Sequence, residues 1–358
     1  EGGGGPALPG SFVLVHHREA TMIRYVIRRM VGSVLVVFVV SVVTFAIFQL
    51  APALSHSSPV YYYIGKIPFP PGSLQLHLLE HRFGFDLPLV QQYWNWLHGI
   101  LFGRTIDDGS GDIQHCGAPC LGYSFRLNTP VSSLIVQAFP VSLSLAVGAA
   151  VLWLFGGVAV GTVSALKRGS IFDRFGMTMA LTGVSLPIFF TGPILLLVFE
   201  YQLKWLPDVS YSPITQDPLQ WLRSMILPWI ALAFLFAALY ARLTRANMLE
   251  TMGEDFIRTA RAKGLSRRTV VVRHGLRAAL TPIVTIFGID VGTLIGTTII
   301  TETVFNLRGL GWLSIQSIRT QDLPVIMGVT IVAATALVVA NLVVDILYAF
   351  VDPRVSYS

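Results

Sequence analysis

Two cysteines are the residues whose type and spacing most directly suggest chemistry. Cys116 and Cys120 are separated by three residues, and His115 precedes the first of them. Such a pair forms a local disulfide in an oxidising compartment, and the alternative is two free thiols. The chain has no further cysteine, so this spacing is weak evidence for a metal, and we predict no metal site. The eight histidines are scattered, and we predict no catalytic site.

Two residues inside apolar runs are candidates for a transport role. Asp290 lies in the middle of one run, where an ionised acid costs at least a few kcal/mol and should face a pore or a polar partner. Two interpretations stay open for Asp290: pore lining or a gate, and a structural hydrogen bond to a neighbouring helix. Pro187 interrupts another run and breaks its helical hydrogen bonds, so we predict a hinge there.

The composition indicates a chain that is solvated by lipid. Charged residues make up 12% of its 358 residues and hydrophobic residues 53%, whereas soluble domains have about 25% charged residues. Six apolar runs are candidates to cross about 30 Å of hydrocarbon as helices. They are residues 31–50, 141–166, 175–199, 225–241, 278–300 and 323–347. We therefore predict an all-α, polytopic membrane protein with six transmembrane helices.

The positions of lysine and arginine predict the orientation of these helices. If the N-terminus is inside, the inner segments contain 17 of the 25 basic residues. The positive-inside rule then places both termini in the cytoplasm. This topology accounts for the net charge of +6, so we predict no nucleic acid partner.

The helices divide the chain into unequal segments. We predict a disordered tail or non-native extension at 1–21, the first transmembrane helix at 22–51 and a long extracytoplasmic loop at 52–133. A loop this long usually has its own fold or a binding role. Residues 134–354 are predicted to form a five-helix core, and 355–358 a second tail.

The inner loop at residues 242–277 contains the signals of a short helix. Glu254 and Asp255 suit the positive N-terminal end of a helix, and Gly264 suits the left-handed turn after one. Ser266 can cap a second helix that continues into the fifth span. A helix this short is not stable alone. It must pack against a partner subunit or lie on anionic lipid, and both interpretations stay open.

The sequence of this inner loop resembles a known motif. Residues 258–265, Arg-Thr-Ala-Arg-Ala-Lys-Gly-Leu, resemble the cytoplasmic coupling motif of ATP-binding cassette (ABC) importer permeases, in the dipeptide and oligopeptide form. Residues 22–29, 301–311 and 341–354 resemble other signatures of that family, although Arg308 stands where the family usually has proline. The resemblance covers about residues 22–354 and is weakest at 105–120.

The resemblance implies the type I permease fold of ABC importers, in the cytoplasmic (inner) membrane of a prokaryote. Two homologous permeases would form the pore, two cytoplasmic ATPase subunits would dock on them, and an extracytoplasmic binding protein would deliver peptide to the long loop. The coupling helix would span residues 254–265, and Glu302 would line the outer vestibule as a pore or gate candidate, although a solvated end charge is the alternative. The coupling residues would be Phe256, Arg258, Thr259, Ala260, Arg261, Ala262, Lys263, Gly264 and Leu265.

No Gly-x-x-x-x-Gly-Lys-Ser/Thr motif is present to bind the phosphates of ATP. We therefore expect a non-catalytic subunit with no cofactor of its own, and ATP and Mg²⁺ in the partner subunits. The resemblance implies di- or oligopeptides as the substrates. One alternative is a permease for another small solute, such as a nickel chelate or glutathione. Another is a proton-driven secondary transporter with Asp290 as the carrier, but such proteins usually contain internal repeats, and none is apparent.

Overall fold

The computed structural model describes residues 10–54, 58–64, 70, 72–107, 113–206 and 211–351. The first half comprises α1 (Gly10–Leu54), α2 (Val60–Ile64), α3 (Leu74–Phe83), α4 (Leu89–Phe102), β1 (Arg104–Asp107), β2 (Ile113–Cys116), β3 (Tyr123–Ser124), β4 (Thr129–Pro130) and α5 (Val131–Leu166). The second half comprises α6 (Ile171–Ser185), α7 (Ile188–Leu195), α8 (Pro218–Thr251), α9 (Asp255–Ala262), α10 (Arg267–Thr269), α11 (Arg277–Val304), α12 (Leu310–Thr320) and α13 (Leu323–Val351). Two π-helical segments, Leu196–Gln202 and Val270–Leu276, follow α7 and α10.

Five helical segments of the described residues are long and apolar enough to cross a membrane, and the bent pair of α6 and α7 makes a sixth if it counts as one span. The five are Val26–Gln49, Val131–Leu166, Pro218–Thr251, Arg267–Val291 and Leu323–Ile346. The predicted helical, multi-span fold is confirmed. Two features differ from the prediction. The third predicted span is a pair of helices and not one straight rod, and four short strands lie between α4 and α5.

The bend in that third span lies at Pro187. Helix α6 ends at Ser185, α7 begins at Ile188, and the two helices are inclined by 112°. Leu186 has extended backbone angles, as expected for a residue before proline. The predicted break at Pro187 is therefore present, and its movement as a hinge stays a prediction.

Both ends of the chain extend past the described residues. Helix α1 begins at Gly10, inside the predicted tail at 1–21. Residues 1–9 and 352–358 lie outside the described part, so the predicted tails and the C-terminal end of the family signature stay predictions.

Helices α5 and α8 pack against each other through small residues. A Cβ atom added to Gly157 would lie 2.9 Å from the carbonyl oxygen of Ala237, and one added to Gly161 would lie 2.4 Å from that of Ala241. Each helix thus presents two small residues four positions apart at the contact. This pattern lets two membrane helices approach until their backbones touch.

Aromatic rings join these two helices to α11. Trp153 of α5 is fully buried, and its ring stacks on Phe236 of α8 with 4.5 Å between centroids. The ring of Phe287 in α11 meets Trp153 edge-on at 5.9 Å. The helices α5, α8 and α11 therefore form one packed body.

The segment between α1 and α5 has a small core of its own. A disulfide joins Cys116 to Cys120, with 5.4 Å between their Cα atoms, so the structure has the bonded pair and not two free thiols. Strand β1 pairs with β2 in antiparallel register, with Arg104 opposite Cys116. Ile106 and Tyr123 pack against the two cysteines and are buried with them.

Candidate functional site

The short helix α9 is the part of the inner loop with the strongest sequence signals. Glu254 is its N-cap and Asp255 lies in its first turn. Gly264 follows it with φ of +74°, and the Leu265 amide donates a hydrogen bond to the Ala260 carbonyl at 3.4 Å. The predicted start of this helix and its left-handed glycine are therefore confirmed.

The second predicted helix of the inner loop also forms. The Ser266 hydroxyl accepts a hydrogen bond from the Thr269 amide at 3.3 Å and so caps α10. The chain continues through the π-helical segment Val270–Leu276 directly into α11. Helix α9 is thus connected to a membrane-spanning helix by one tight turn, α10 and the π-helical segment.

One face of α9 packs against the chain itself. Ile257 is fully buried and Ala260 is 6% exposed, and both pack with Val270 and Met252. Ala260 is therefore not available to a partner. Ala260 was predicted to contact a partner subunit, and this prediction is corrected. Its small side chain instead lets α9 lie close to the π-helical segment of the same chain.

The opposite face of α9 and the following turn are open to solvent. Phe256 is 46% exposed and Leu265 is 40% exposed, so two apolar side chains lie on an otherwise polar and basic surface. The remaining predicted coupling residues on this face are all exposed as well: Arg258, Thr259, Arg261, Ala262, Lys263 and Gly264.

An ion pair joins the C-terminal part of α8 to the first turn of α6. Arg245 donates from Nε and Nη2 to the two carboxylate oxygens of Asp173, at 2.7 and 2.9 Å. The Gly169 amide donates to the same carboxylate at 2.8 Å, and the Asp173 amide donates to the Ser170 hydroxyl. Sequence reasoning missed this ion pair. The Ser170-x-x-Asp173 pattern signals the start of α6, but nothing local to it identifies Arg245 as the partner of Asp173.

Glu302 is fully buried near the C-terminal end of α11. Its carboxylate accepts hydrogen bonds from the Ser142 hydroxyl at 2.6 Å and from the Trp312 amide at 2.9 Å. A Cβ atom on Gly309 would lie 2.5 Å from this carboxylate, so glycine leaves the space that it occupies. The carboxylate lies at the N-terminal end of α12, where the helix dipole favours a negative charge.

This position corrects the predictions for Glu302. It is neither a solvated end charge nor a residue that lines an outer vestibule in this structure, because its side chain has no exposed surface. It joins α5, α11 and α12 instead.

Removing the charge of Glu302 is therefore expected to destabilise the fold. In Glu302→Gln one charge-assisted acceptor is lost and an amide donor faces existing donors, which should cost about 2 kcal/mol of unfolding free energy. Thermal unfolding of the detergent-solubilised chain would measure the loss. Glu250→Gln, at an exposed position of α8, is the matched control and should leave the unfolding midpoint unchanged. Equal midpoints for the two variants would contradict this assignment.

A second buried acid joins the segment between α1 and α5 to the last span. Asp322 is 1% exposed, accepts a hydrogen bond from the Ser124 hydroxyl and lies just before α13. Burial raises the pKa of this carboxyl, and the Ser124 hydrogen bond partly offsets the rise. Strand β3 is thereby held at the N-terminal end of α13.

Asp290 has a hydrogen-bond partner on a neighbouring helix. The Tyr240 hydroxyl of α8 donates to its Oδ2 at 2.7 Å, and Asp290 itself is half-buried. The structure therefore contains the contact that the structural interpretation requires, and a pore or gate role stays a prediction. Arg29 of α1 also pairs with Asp345 of α13, at 3.2 Å.

Known proteins resemble this chain over nearly its whole length. Residues 157–357 match the family described as the binding-protein-dependent transport system inner membrane component, and residues 22–146 match the N-terminal part of such components. The chain belongs to this family.

Individual relatives agree with this membership. The dipeptide transport system permease protein of Escherichia coli (strain K12) is 35% identical over 361 residues, which covers 94% of this chain and 100% of that protein. The glutathione transport system permease protein of Escherichia coli O6:H1 is 35% identical over 338 residues with the same coverage. A solved inward-facing methionine ABC transporter matches with a TM-score of 0.50 and 18% identity, over 62% of this chain and 97% of that one.

These findings establish the class of the protein. It is a transport permease with the fold of ABC importer permeases and is a multi-pass component of an inner membrane. Members of this family work in general with a binding protein and an ATPase.

Proposed function

We propose that this chain is the permease subunit of an ABC importer and forms half of a translocation path for di- or oligopeptides. The observation that carries this proposal is the form of α9. It is a short cytoplasmic helix that is anchored by Ile257 and Ala260 and that exposes Phe256 and Leu265. Such a helix suits docking to an ATPase.

The packing of α9 favours a protein partner over a lipid surface. A helix that lies on lipid inserts its apolar face into the membrane. Here the apolar face is already occupied, because Ile257 and Ala260 pack on Val270 of the same chain. The exposed basic face, with Phe256 and Leu265 on it, has the mixed character of a protein interface, in which aromatic and arginine residues are enriched.

Coupling would pass from α9 to the membrane helices through direct contacts. Displacement of α9 by a partner ATPase would act on Val270 at the start of the π-helical segment and then on α11. The hydrogen bond between Tyr240 and Asp290 links α11 to α8, so the two helices would move together. A rigid displacement of this kind can switch a pore between inward- and outward-facing states.

The complex would contain two homologous permeases, two cytoplasmic ATPase subunits and one extracytoplasmic binding protein. ATP and Mg²⁺ would be bound by the ATPases, and this chain would be non-catalytic and hold no cofactor. Both termini would lie in the cytoplasm, and residues 52–133 would meet the binding protein outside. Pro187 at the bend of the third span and Asp290 beside Tyr240 are the candidates for a gate.

Two relatives point to the chemical class of the substrate. One is a dipeptide permease and the other a glutathione permease, and each is 35% identical to this chain. Both substrates are short peptides, so the peptide class is favoured, and glutathione is the second candidate within it. A nickel chelate has no comparable support among these relatives.

Uptake by the reconstituted complex would test the proposal. Proteoliposomes would contain this chain, its homologous permease and the two ATPases, with the binding protein added outside. Uptake of a radiolabelled dipeptide should require ATP and the binding protein and should be unaffected when an ionophore collapses the proton gradient. Uptake that a proton gradient drives without ATP would refute the proposal. Unlabelled glutathione and a nickel chelate would be added as competitors of the labelled dipeptide, to compare the candidate substrates.

A further inference from the structure

A cavity of about 170 Å³ lies in the extracytoplasmic part of the chain. The outer end of α1, the helices α3 and α4, and the strands β1 and β3 all contribute to its wall. Seven aromatic side chains line it, among them Tyr63, Trp96 and Phe125. Pockets for drug-sized ligands have roughly 300–1,000 Å³, so this cavity is of a size for one amino acid residue.

Two residues that line the cavity each have a buried polar side-chain atom with no hydrogen-bond partner within the described part of the chain. These atoms are Nε of Arg104, a donor, and Oε1 of Gln49, an acceptor. The Gln49 side chain is almost wholly buried, at 5% exposure. A buried polar atom without a partner costs about 1–3 kcal/mol, so two of them beside one cavity point to a ligand that supplies both partners.

The orientation of the Gln49 amide follows from its neighbours. Its Nε2 donates to Oε1 of Gln92, and Nε2 of Gln92 donates to the carbonyl oxygens of Phe85 and Leu87. Gln92 must therefore present its oxygen to Gln49, and Gln49 must present its nitrogen to Gln92. The Gln49 oxygen is left over as an acceptor.

The charge of the cavity wall favours an anion. Arg82 and Arg104 both line it, and none of its described lining residues is an aspartate or glutamate. Burial lowers the pKa of the Arg104 guanidinium, because removing this group from water disfavours its charged form. A carboxylate would offset that cost through a charge-assisted hydrogen bond.

We propose that this cavity binds a carboxylate together with an adjacent N–H donor, the carboxylate on Arg104 and the N–H group on Oε1 of Gln49. The carboxyl end of a short peptide has both groups, and so does an acidic residue on the surface of a partner protein. The aromatic wall would enclose the side chain of the same residue. All residues that line the cavity belong to this one chain, so the site can be tested by measuring binding instead of transport.

Titration calorimetry on the full chain in lipid nanodiscs would test this site. The probes are alanyl-alanine, alanyl-alanine amide and N-acetyl-aspartic acid amide. Alanyl-alanine should bind at least about tenfold more tightly than its amide if a peptide end is the ligand. Tighter binding of N-acetyl-aspartic acid amide than of alanyl-alanine would assign the site to a partner's acidic side chain. Two outcomes would refute the proposal. In the first, none of the three probes binds. In the second, alanyl-alanine and its amide bind equally and N-acetyl-aspartic acid amide does not bind.

Two variants would connect the binding to the named atoms. Arg104→Gln should weaken binding of the carboxylate probe about tenfold or more, whereas Arg126→Gln, at an exposed arginine of the same segment, should not. Gln49→Glu keeps the side-chain size and puts a carboxylate into the cavity, so it should abolish binding. Because it also replaces the donor to Gln92, thermal unfolding of this variant has to show that the chain is folded. Unchanged binding in either Arg104→Gln or Gln49→Glu would overturn the proposal, and Gln49→Glu decides it if Arg104→Gln does not fold.

Discussion

Replacing Gly264 by arginine is expected to lower ATP-driven uptake at least tenfold while the membrane helices remain inserted. Gly264 has φ of +74°, and a residue with a Cβ atom costs about 1–2 kcal/mol in this conformation. A Cβ atom there would meet nothing within 4 Å in this chain, so the new side chain would project from the exposed face of α9. The end of the helix would shift, and the bulky charge would lie in the proposed ATPase contact.

Gly169→Arg is the matched control for this experiment. Gly169 also has a positive φ, of +78°, and open space for a Cβ atom, and it lies in the turn between α5 and α6 on the same side as α9. Uptake assays and co-purification of the ATPase would be compared for both variants, with protease protection as the test of insertion. If both variants lost uptake equally, backbone strain would account for the effect. Full uptake with Gly264→Arg would refute the coupling role of α9.

Adding one methyl group at Gly157 is expected to destabilise the chain by about 3 kcal/mol. The new Cβ atom would lie 2.6 Å from Cβ of Tyr240 and 2.9 Å from the carbonyl oxygen of Ala237. Helices α5 and α8 would have to separate, which would weaken the packing of the fully buried Tyr240 and Trp153. Overpacking of a well-packed core costs typically 1–3 kcal/mol, and contact with backbone places this case at the upper end.

Gly156→Ala is the control, because it makes the same change one residue away. A Cβ atom at Gly156 would meet nothing within 4 Å, so the two variants differ only in the face of α5 that they modify. Alanine also has a higher helix propensity than glycine, so Gly156→Ala should leave the unfolding midpoint unchanged or raise it. Thermal unfolding of the two purified variants measures the difference, and equal midpoints would show that the close α5–α8 contact is wrong.

The spans and the ends of α9 could be predicted because their causes are local in sequence. Each helix in lipid satisfies its own backbone hydrogen bonds, so an apolar run is a sufficient signal. The N-cap at Glu254 and the turn at Gly264 likewise depend on residues within one helical turn. The bend at Pro187 was predictable as a break, but its angle of 112° depends on the packing of α6 and α7 against other helices.

The buried polar clusters could not be predicted because their partners are far apart in the sequence. Glu302 is 160 residues from Ser142, and Ser124 is 198 residues from Asp322. Only the folded chain brings such pairs together. For the same reason Glu302 was misassigned, since an acid at the end of an apolar run has the same sequence pattern whether it is solvated or buried.

Ala260 shows how a motif residue can have a different role from its neighbours. The resemblance assigned residues 258–265 to one contact with the ATPase, but Ala260 is buried against Val270 and only its neighbours are exposed. The motif therefore combines two requirements, a small residue that fixes the helix to its own chain and a surface that is free to bind a partner. Once the buried face of α9 is known, helical periodicity alone predicts which of its residues are buried and which are exposed.

Site-specific cross-linking from Phe256 tests the central claim most directly. The only two cysteines of the chain form the disulfide Cys116–Cys120, so Phe256→Cys introduces a single free thiol. In the assembled complex a short bifunctional reagent should join this thiol to an ATPase subunit. The control Phe172→Cys, at an exposed phenylalanine near the α5–α6 turn, should give no such product. Absence of the ATPase cross-link from position 256 in an intact complex, or equal cross-linking from position 172, would contradict the account.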